Sequence, residues 1–493
     1  MKKSYSNGLI LQTSDTSAQP TSTINRKVSS RIKKFIYRAK ELYDQKHYDK
    51  ALDVISAAMD TGDWENPESL YLAGAILRQL GHAAMSAHMF RRAVALAPDN
   101  ANIWLNFGAS LHEISCYHEA IEAFKVSHKL EPRMPSTLQN LAASCVQLGR
   151  YADGLNYANM ALEMNPDYPL AKGTKAMACL GLERWREGFS LYKNLYGVTV
   201  IRRIYRQPKE PEWNGEKGLS VVVQSDQGVG DAIMYASMLS EMEKDCGHII
   251  LDTDPKLVNL FARNFPNIEV HGTKHKTEGV DWVNTAKVDA SIHISGIGRF
   301  YRTRDKDFPR KPFLTASPAL VDKWMEKLRD CPKPWVGLTW TGGTIRNHME
   351  TRSVELQDWE PVIQAGGTFV DLSYHNSLPE VEKYNNTHAS NVEHFDVNQQ
   401  DYEDTLALIA CMDLVITVQT TVAHACGSIG KKAFVLVNNI PQWRYGTSRD
   451  NVIWYPKDSL KLFRQGRDEE SLSDAIQRIM FAYTDFLKRK ESP

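Results

Sequence analysis

The sequence predicts a helical repeat solenoid followed by an α/β region built from two consecutive doubly wound units. Three observations carry this. Proline, small and aliphatic residues recur every 34 positions over the first two hundred residues. Two later stretches each alternate short β-branched runs with helical segments in βαβ order. The run from Asp413 to Val437 is the clearest βαβ unit: Leu414–Val418 reads as a buried strand, Gln419-Thr420-Thr421 as a polar turn, and Val422–Ser428 as two helical turns. Gly430 then stops the helix, and Ala433–Val437 is a second strand.

Residues 1–28 are rich in Ser, Thr, Asn and Gln with few apolar residues, the composition of a disordered lead-in. Residues 29–200 form the predicted tetratricopeptide array. Pro98, Pro132 and Pro166 share one period, as do Ala93, Ser127 and Ala161; Gly74, Gly108 and Ala142; and Leu80, Ile114 and Leu148. Small residues suit the close crossing of two helices in a hairpin, and each proline ends a second helix. The aromatic position reads Phe90, then Phe124, then lapses to Ala158. An earlier copy is offset by one residue, and a degraded last copy running to Trp185–Tyr192 is expected to cap the array and dock it on the α/β region. Such arrays present a concave face. Asn106 and Asn140 share a first-helix position expected to face that groove, where they would grip an acceptor peptide backbone or simply be solvated.

Residues 201–218, with Arg202, Arg203, Arg206, Pro208, Pro211 and Gly215, have the composition of a linker. A first Rossmann-like lobe is expected over 219–318. There Leu219–Val223 is a strand, Gln224–Asp231 a glycine loop, Ala232–Lys244 one amphipathic helix, and Ile249–Leu251 the next strand. This order puts Gly228, Gly230 and Asp231 at a strand's carboxyl edge, where open α/β sheets bind ligands. Asp231 opens a helix, where the dipole favours an ionised carboxylate; it serves either as a cap or as a base for an attacking hydroxyl. Gly228, Gly230 and Asp252 imitate a dinucleotide fingerprint, but Ile233 occupies the third glycine position, so no nicotinamide or flavin is expected. Asp252-Thr-Asp254 imitates a metal-binding pair, yet its surroundings read as a polar turn.

A second lobe over 319–493 restarts with strand Trp335–Trp340. A long polar loop follows from Thr341, Gly342 and Gly343 to Arg352, and a helix is expected at Leu356–Ala365. The turn at Thr420-Thr421, before a helix N-terminus, is a ready phosphate site or an ordinary βαβ connection. Two such units facing one another suggest the two-lobed B-type glycosyltransferase (GT-B) plan, with the site between lobes.

Gln227-Gly-Val-Gly-Asp231 resembles the G-x-G-D loop of heptosyltransferase-like glycosyltransferases (family 9). Asp413–Lys431 resembles their second signature, with His424 and Gly430 in register. Trp340-Thr-Gly342, Arg352-Ser353, Asp404-Thr405, Pro441-Gln-Trp-Arg444, Trp454-Tyr-Pro456 and Leu462-Phe-Arg-Gln465 match as well. Together with Glu212-Trp-Asn-Gly215, the chain is similar to the bacterial subgroup that joins tetratricopeptide repeats to such a domain. The resemblance implies metal-independent, inverting transfer from a nucleotide-diphosphate sugar, with no cofactor. Asp231 would deprotonate the acceptor. Thr420, Thr421 and His424 would hold the leaving diphosphate, and Thr341, Gly342 and Gly343 would add donors. Arg352 would supply charge in place of a metal, unless it is an ordinary loop arginine. Trp443 and Arg444 would border the nucleotide, or Trp443 would simply pack. Gln419 stands where the family usually has aspartate; it can bond sugar hydroxyls but carries no charge, leaving open altered or lost activity. The competing expectation is a non-catalytic, repeat-based interaction protein.

Lys plus Arg and Asp plus Glu are both 59, so no global field recruits nucleic acid. Seven scattered cysteines without a CxxC pair argue against disulfide frameworks and zinc. No apolar run reaches membrane-spanning length and the N-terminus lacks a signal-peptide core; the expectation is a soluble, cytoplasmic protein.

Overall fold

The computed structural model describes residues 30–60, 66–195, 210–273, 287–343, 352–389, 391–439, 442–466 and 471–491. The expected lead-in, the first half of the linker (201–209), the loop 344–351 and Pro441 lie outside the described residues. The chain divides into two compact units. One holds the helices up to Cys179; the other holds Leu180–Lys193 together with the described residues from 210 on.

The first unit is a run of helical hairpins that fits a tetratricopeptide solenoid: α1 Ser30–Asp44, α2 Tyr48–Asp60, α3 Pro67–Gln79, α4 Ala83–Leu96, α5 Ala101–Glu113, α6 Tyr117–Leu130, α7 Pro135–Gln147, α8 Tyr151–Met164 and α9 Pro169–Gly181. Sequence decides the starts. Asn66 accepts from the backbone N–H of Glu68 at 2.9 Å with Pro67 following, and Asn100 accepts from that of Asn102 at 3.0 Å. The small residues work as expected. A Cβ on Gly74 would sit 2.9 Å from the Phe90 ring, and one on Gly108 would sit 2.6 Å from Phe124. The turn inside each hairpin is left-handed at equivalent positions, Lys46, Gly81, Ser115, Gly149 and Glu183, although only two of these are glycine.

In the second unit, α10 (Trp185–Leu191) precedes an α/β region with two parallel sheets. The first contains β1 Ser220–Gln224, β2 His248–Thr253, β3 Glu269–Gly272 and β4 Ala290–His293, in the order β3-β2-β1-β4. The second contains β5 Trp335–Leu338, β6 Thr368–Asp371, β7 Val392–Glu393, β8 Leu414–Thr417, β9 Ala433–Val437 and β10 Leu460–Arg464, in the order β10-β9-β8-β5-β6-β7. Its register sets Gly337 of β5 beside Val415 of β8 and Val370 of β6. Strand order reverses between β5 and β8, and in the first sheet around β1, so each sheet opens a crevice at those carboxyl ends. The connecting helices are α11 Val229–Ala236, α12 Leu239–Met242, α13 Val258–Asn264, α14 Pro318–Lys327, α15 Leu378–Thr387, α16 Tyr402–Cys411, α17 Thr421–Ile429 and α18 Leu472–Glu491. Beneath the second sheet, Val336, Leu338, Trp359, Phe369, Ile416 and Ile479 share one apolar core.

Three local expectations are corrected. The helix expected over Ala232–Lys244 is two pieces, α11 and α12. It breaks at Ser237, whose freed carbonyl accepts from the buried guanidinium of Arg302 at 3.1 Å, so tertiary hydrogen bonding replaces the helical bond. The helix expected over Leu356–Ala365 opens as a 3₁₀ turn, Leu356–Trp359, before one α-turn at Glu360–Ile363. Asp252 lies at the end of β2 and accepts from the Thr273 hydroxyl at 2.6 Å, fastening β2 to the end of β3.

The seven cysteines are free thiols, and Cys145, Cys179, Cys411 and Cys426 are buried. Burial raises the thiols of Cys145, Cys246 and Cys411 to about 11 and that of Cys426 to about 12; those of Cys116 and Cys331 are raised as well.

Candidate functional site

The glycine loop ends where the two sheets' helices meet. Gly228 caps α11 in extended backbone, and Asp231 in the first turn accepts from its N–H at 3.4 Å. Gly230 lies against α17. A Cβ there would fall 2.9 Å from Cδ2 of His424 and 3.3 Å from both Cα and Oγ1 of Thr421. The N-terminal turns of α11 and α17 therefore touch, and Asp231 comes to the threonine turn. Its side chain keeps 21% of its surface exposed.

Asp231 forms an ion pair with Nε of Arg444, whose Nη2 donates to Oε1 of Gln227 at 2.8 Å. Arg352 donates from Nη2 to the Gln419 carbonyl at 2.8 Å. Burial lowers the pKa of Arg352, and neighbouring Arg444 adds to this; a guanidinium nonetheless stays charged. Arg444 is paired with the Asp231 carboxylate and Arg352 lies near enough to interact electrostatically with both, so these three side chains together carry a net positive charge. His424 does not add to it. Burial pushes its imidazole down to about 4 with Asp231 partly opposing, so the ring is neutral near pH 7; its Nδ1 is 2.8 Å from the Tyr455 hydroxyl.

The other expected residues divide by what they touch. Thr420 is structural: its hydroxyl caps α17 by accepting from the N–H of Val422 at 3.2 Å, and it ends a hydroxyl chain through Thr417 to Thr339. Gln419 is buried, with Nε2 donating to Asn438 at 2.9 Å. Thr341 is half-buried. Gly342 is a close-approach glycine, its imagined Cβ lying 2.9 Å from the Arg352 carbonyl, and its N–H donates to Ser353 at 3.0 Å. Gly343 adopts φ 82° and accepts from the Tyr374 hydroxyl. Trp443 is a packing residue: it is buried and meets Phe189 edge-on at 6.3 Å, with Arg444 over its ring at 5.1 Å. Asn106 and Asn140, expected to face the repeat groove, are buried. Asn106 is 2% exposed, and its amide donates to the Asn102 carbonyl at 2.8 Å.

Sequence reasoning missed the residues that enclose the charges. Tyr192, Tyr235, Tyr445 and Tyr455 are all buried around Asp231 and Arg444. The hydroxyls of Tyr235 and Tyr445, the indole N–H of Trp443 and Trp454, and Oε1 of Gln419 have no hydrogen-bond partner among the described residues. Orphaned buried polar groups cost about 1–3 kcal/mol each, and their gathering at one place marks a polar site. The sequence signal was position alone: Tyr445 follows the Pro441-Gln-Trp-Arg444 match and Tyr455 lies inside the Trp454-Tyr-Pro456 match, with no role read for either. Behind the glycine loop, Asp226 accepts from the Ser295 hydroxyl at 2.8 Å beside His293; burial raises the Asp226 carboxyl and lowers the His293 imidazole.

The space beside Arg352 and Gln419 holds about 10 Å³, room for one water. A groove of about 560 Å³ lies elsewhere, between Glu183–Glu187 and Thr303–Asp305, and its lining mixes arginines with carboxylates. Its mixed charge favours no ligand class, and none of the expected site residues lines it, so the Asp231 cluster is the stronger candidate. No helix among the described residues is long and apolar enough to cross a membrane, and no group of three or more His, Cys, Asp or Glu there is arranged to hold a metal.

No family model matches the chain. Over 264 residues, half of this chain, it is 30% identical to Protein FlbA of Caulobacter vibrioides, and it spans 44% of that protein's length. Solved structures similar to it include MamA MSR-1 C2, at 16% identity over 34% of this chain and 97% of that one, with a TM-score of 0.31. TTC0263, a thermophilic TPR protein in Thermus thermophilus, matches at 17% identity over 34% of this chain and 91% of that one, with a TM-score of 0.29. YrrB, a TPR protein with an unusual peptide-binding site, matches at 14% identity over 33% and 84%, with a TM-score of 0.30. Scores this low leave the solenoid assignment to the chain's own 34-residue geometry.

Proposed function

We propose that the second unit is a two-lobed, GT-B-like glycosyltransferase that moves a sugar from a nucleotide-diphosphate sugar to an acceptor hydroxyl, with the repeats selecting the acceptor. The observation that carries the reading is Asp231, in the first turn of α11, set against the first turn of α17 with Arg444 and Arg352 beside it. One carboxylate able to accept a proton and an excess of fixed positive charge at a helix N-terminus suit this chemistry.

In this scheme Asp231 takes the acceptor's hydroxyl proton while that oxygen attacks the anomeric carbon. The bond from that carbon to the phosphate oxygen breaks, and its electron pair leaves on the diphosphate. Arg352, Arg444 and the backbone N–H groups of α17 meet the departing charge. Arg444 already pairs with Asp231, so an incoming diphosphate draws the guanidinium toward itself and uncovers the carboxylate as donor binds. The hydroxyls of Tyr235 and Tyr445 offer further donors.

The test is release of nucleoside diphosphate from a panel of nucleotide sugars, comparing wild type with Asp231→Asn. Release by the wild type alone supports transfer. Asp231→Asn should bind nucleoside diphosphate several-fold more tightly, because it removes the carboxylate that competes for Arg444. The small cavity beside Arg352, and the mutual satisfaction of Asp231 and Arg444, favour a second reading as a non-catalytic interaction protein. No release with any donor, and no diphosphate binding by calorimetry, would decide for it.

A further inference from the structure

We propose that Tyr192 and Gln227 are positioning residues for the Asp231–Arg444 pair, so that the helical segment closing the repeat pattern sets the charge arrangement at the site; its bearing on sugar transfer rests on the reading above. Gln227 spans the two sides. Its Oε1 accepts from Arg444 at 2.8 Å, and its Nε2 donates to the Tyr192 hydroxyl at 2.5 Å. Arginine can only donate, so the amide oxygen must face Arg444 and the amide nitrogen must face Tyr192. Arg444 therefore donates both to Asp231 and to Gln227, and Gln227 donates onward to Tyr192, which fixes the orientation of the amide.

The Tyr192 end is held firmly within the second unit. Phe189 packs edge-on against Trp443 and Trp454, each at 6.3 Å, and lies so close to Gly298 that a Cβ there would fall 2.5 Å from its ring. Trp185 donates to Asp305 at 2.8 Å, and Glu183 accepts from Arg449 at 2.7 Å. A segment anchored through its buried Trp185, Phe189 and Tyr192 thus delivers one hydroxyl to the amide that steadies Arg444. Without that hydroxyl the amide is free to rotate, and the guanidinium loses its second anchor. Arg444 is the group that must choose between Asp231 and an incoming anion, so its mobility sets both how readily it leaves Asp231 and how firmly it holds phosphate.

The experiment uses full-length protein with isotope-labelled arginine, following exchange of the Arg444 Nε–H proton by NMR; its resonance is identified by its disappearance in Arg444→Lys. Tyr192→Phe keeps the ring and its packing, and Gln227→Leu removes the bridge; the thermal midpoint of each reports folding. We expect at least tenfold faster exchange in either variant, and no further gain in the double variant because the two residues act in series. Unchanged exchange in Tyr192→Phe, or effects that multiply in the double variant, overturns the proposal. Inorganic pyrophosphate binding, measured alongside, should weaken five- to tenfold in both variants. A wild type that binds no pyrophosphate sinks the transferase reading, while the exchange rates still decide the positioning role.

Discussion

Gly230 and His424 approach so closely that only a hydrogen fits between them: a Cβ on the glycine would lie 2.9 Å from Cδ2 of the imidazole. Two helices from different sheets are thereby held with their N-terminal turns in contact, which brings Asp231 to Thr421. Gly230→Ala should push these turns apart. Overpacking of this kind costs about 1–3 kcal/mol, and the displaced carboxylate should lose most of any transfer activity. A thermal midpoint and a nucleotide-release rate that both match wild type would show the contact to be slack.

His424 gives the site a built-in pH response. Its folded value of about 4 lies below the ordinary value near 6.5, so the unfolded chain binds the proton more readily. The stabilising contribution is complete above pH 6.5 and is lost as pH falls toward 4, roughly 2–3 kcal/mol across that window. Denaturant midpoints measured from pH 7 to 4 should show this slope, and His424→Gln should flatten it.

The two threonines of the turn should respond differently. Thr420 caps α17 and joins the hydroxyl chain, so Thr420→Val should cost about 1–2 kcal/mol of stability. Thr421 offers its hydroxyl toward Gly230, and Thr421→Val should instead weaken nucleoside diphosphate binding by about 1–3 kcal/mol with little change in stability. Calorimetry beside thermal denaturation separates the two. A swap of these phenotypes would mean the ligand meets the other hydroxyl.

The left-handed hairpin turns make a prediction about stability alone. Lys46 is exposed at φ 61°, so Lys46→Gly should stabilise by about 0.5–1 kcal/mol as the backbone cost is relieved. Glu183 at φ 60° should gain little from the same change, because its carboxylate also holds Arg449. Equal gains at both positions would show that this ion pair contributes nothing.

Much of the architecture was legible because it rests on periodicity. The 34-residue spacing marks Gly74 and Gly108 as crossing points and Phe90 and Phe124 as one aromatic position, and the structure sets each ring on its glycine; the β-branched run Leu414–Val418 announces a strand, observed over Leu414–Thr417. Asp231, Arg444 and Thr421 were legible through local motifs. The rest was not, because it depends on side chains that meet from distant parts of the chain. Nothing local to Ser237 tells that Arg302 takes its carbonyl and splits a helix. Nothing near Tyr192 signals that its hydroxyl ends at Gln227. Asn106 shows the opposite failure: a polar residue on a repeat position suggests a groove, yet its amide bonds back to its own helix.

The cysteine pattern has a practical outcome for the bench. With Cys145, Cys179, Cys411 and Cys426 buried, these four thiols should react sluggishly with maleimides at neutral pH, which leaves the half-buried Cys116, Cys246 and Cys331 as the accessible ones. Once those three are replaced by serine, a single cysteine placed on an exposed surface would take a fluorophore or spin label selectively, and distances could be tracked with the buried thiols left in place.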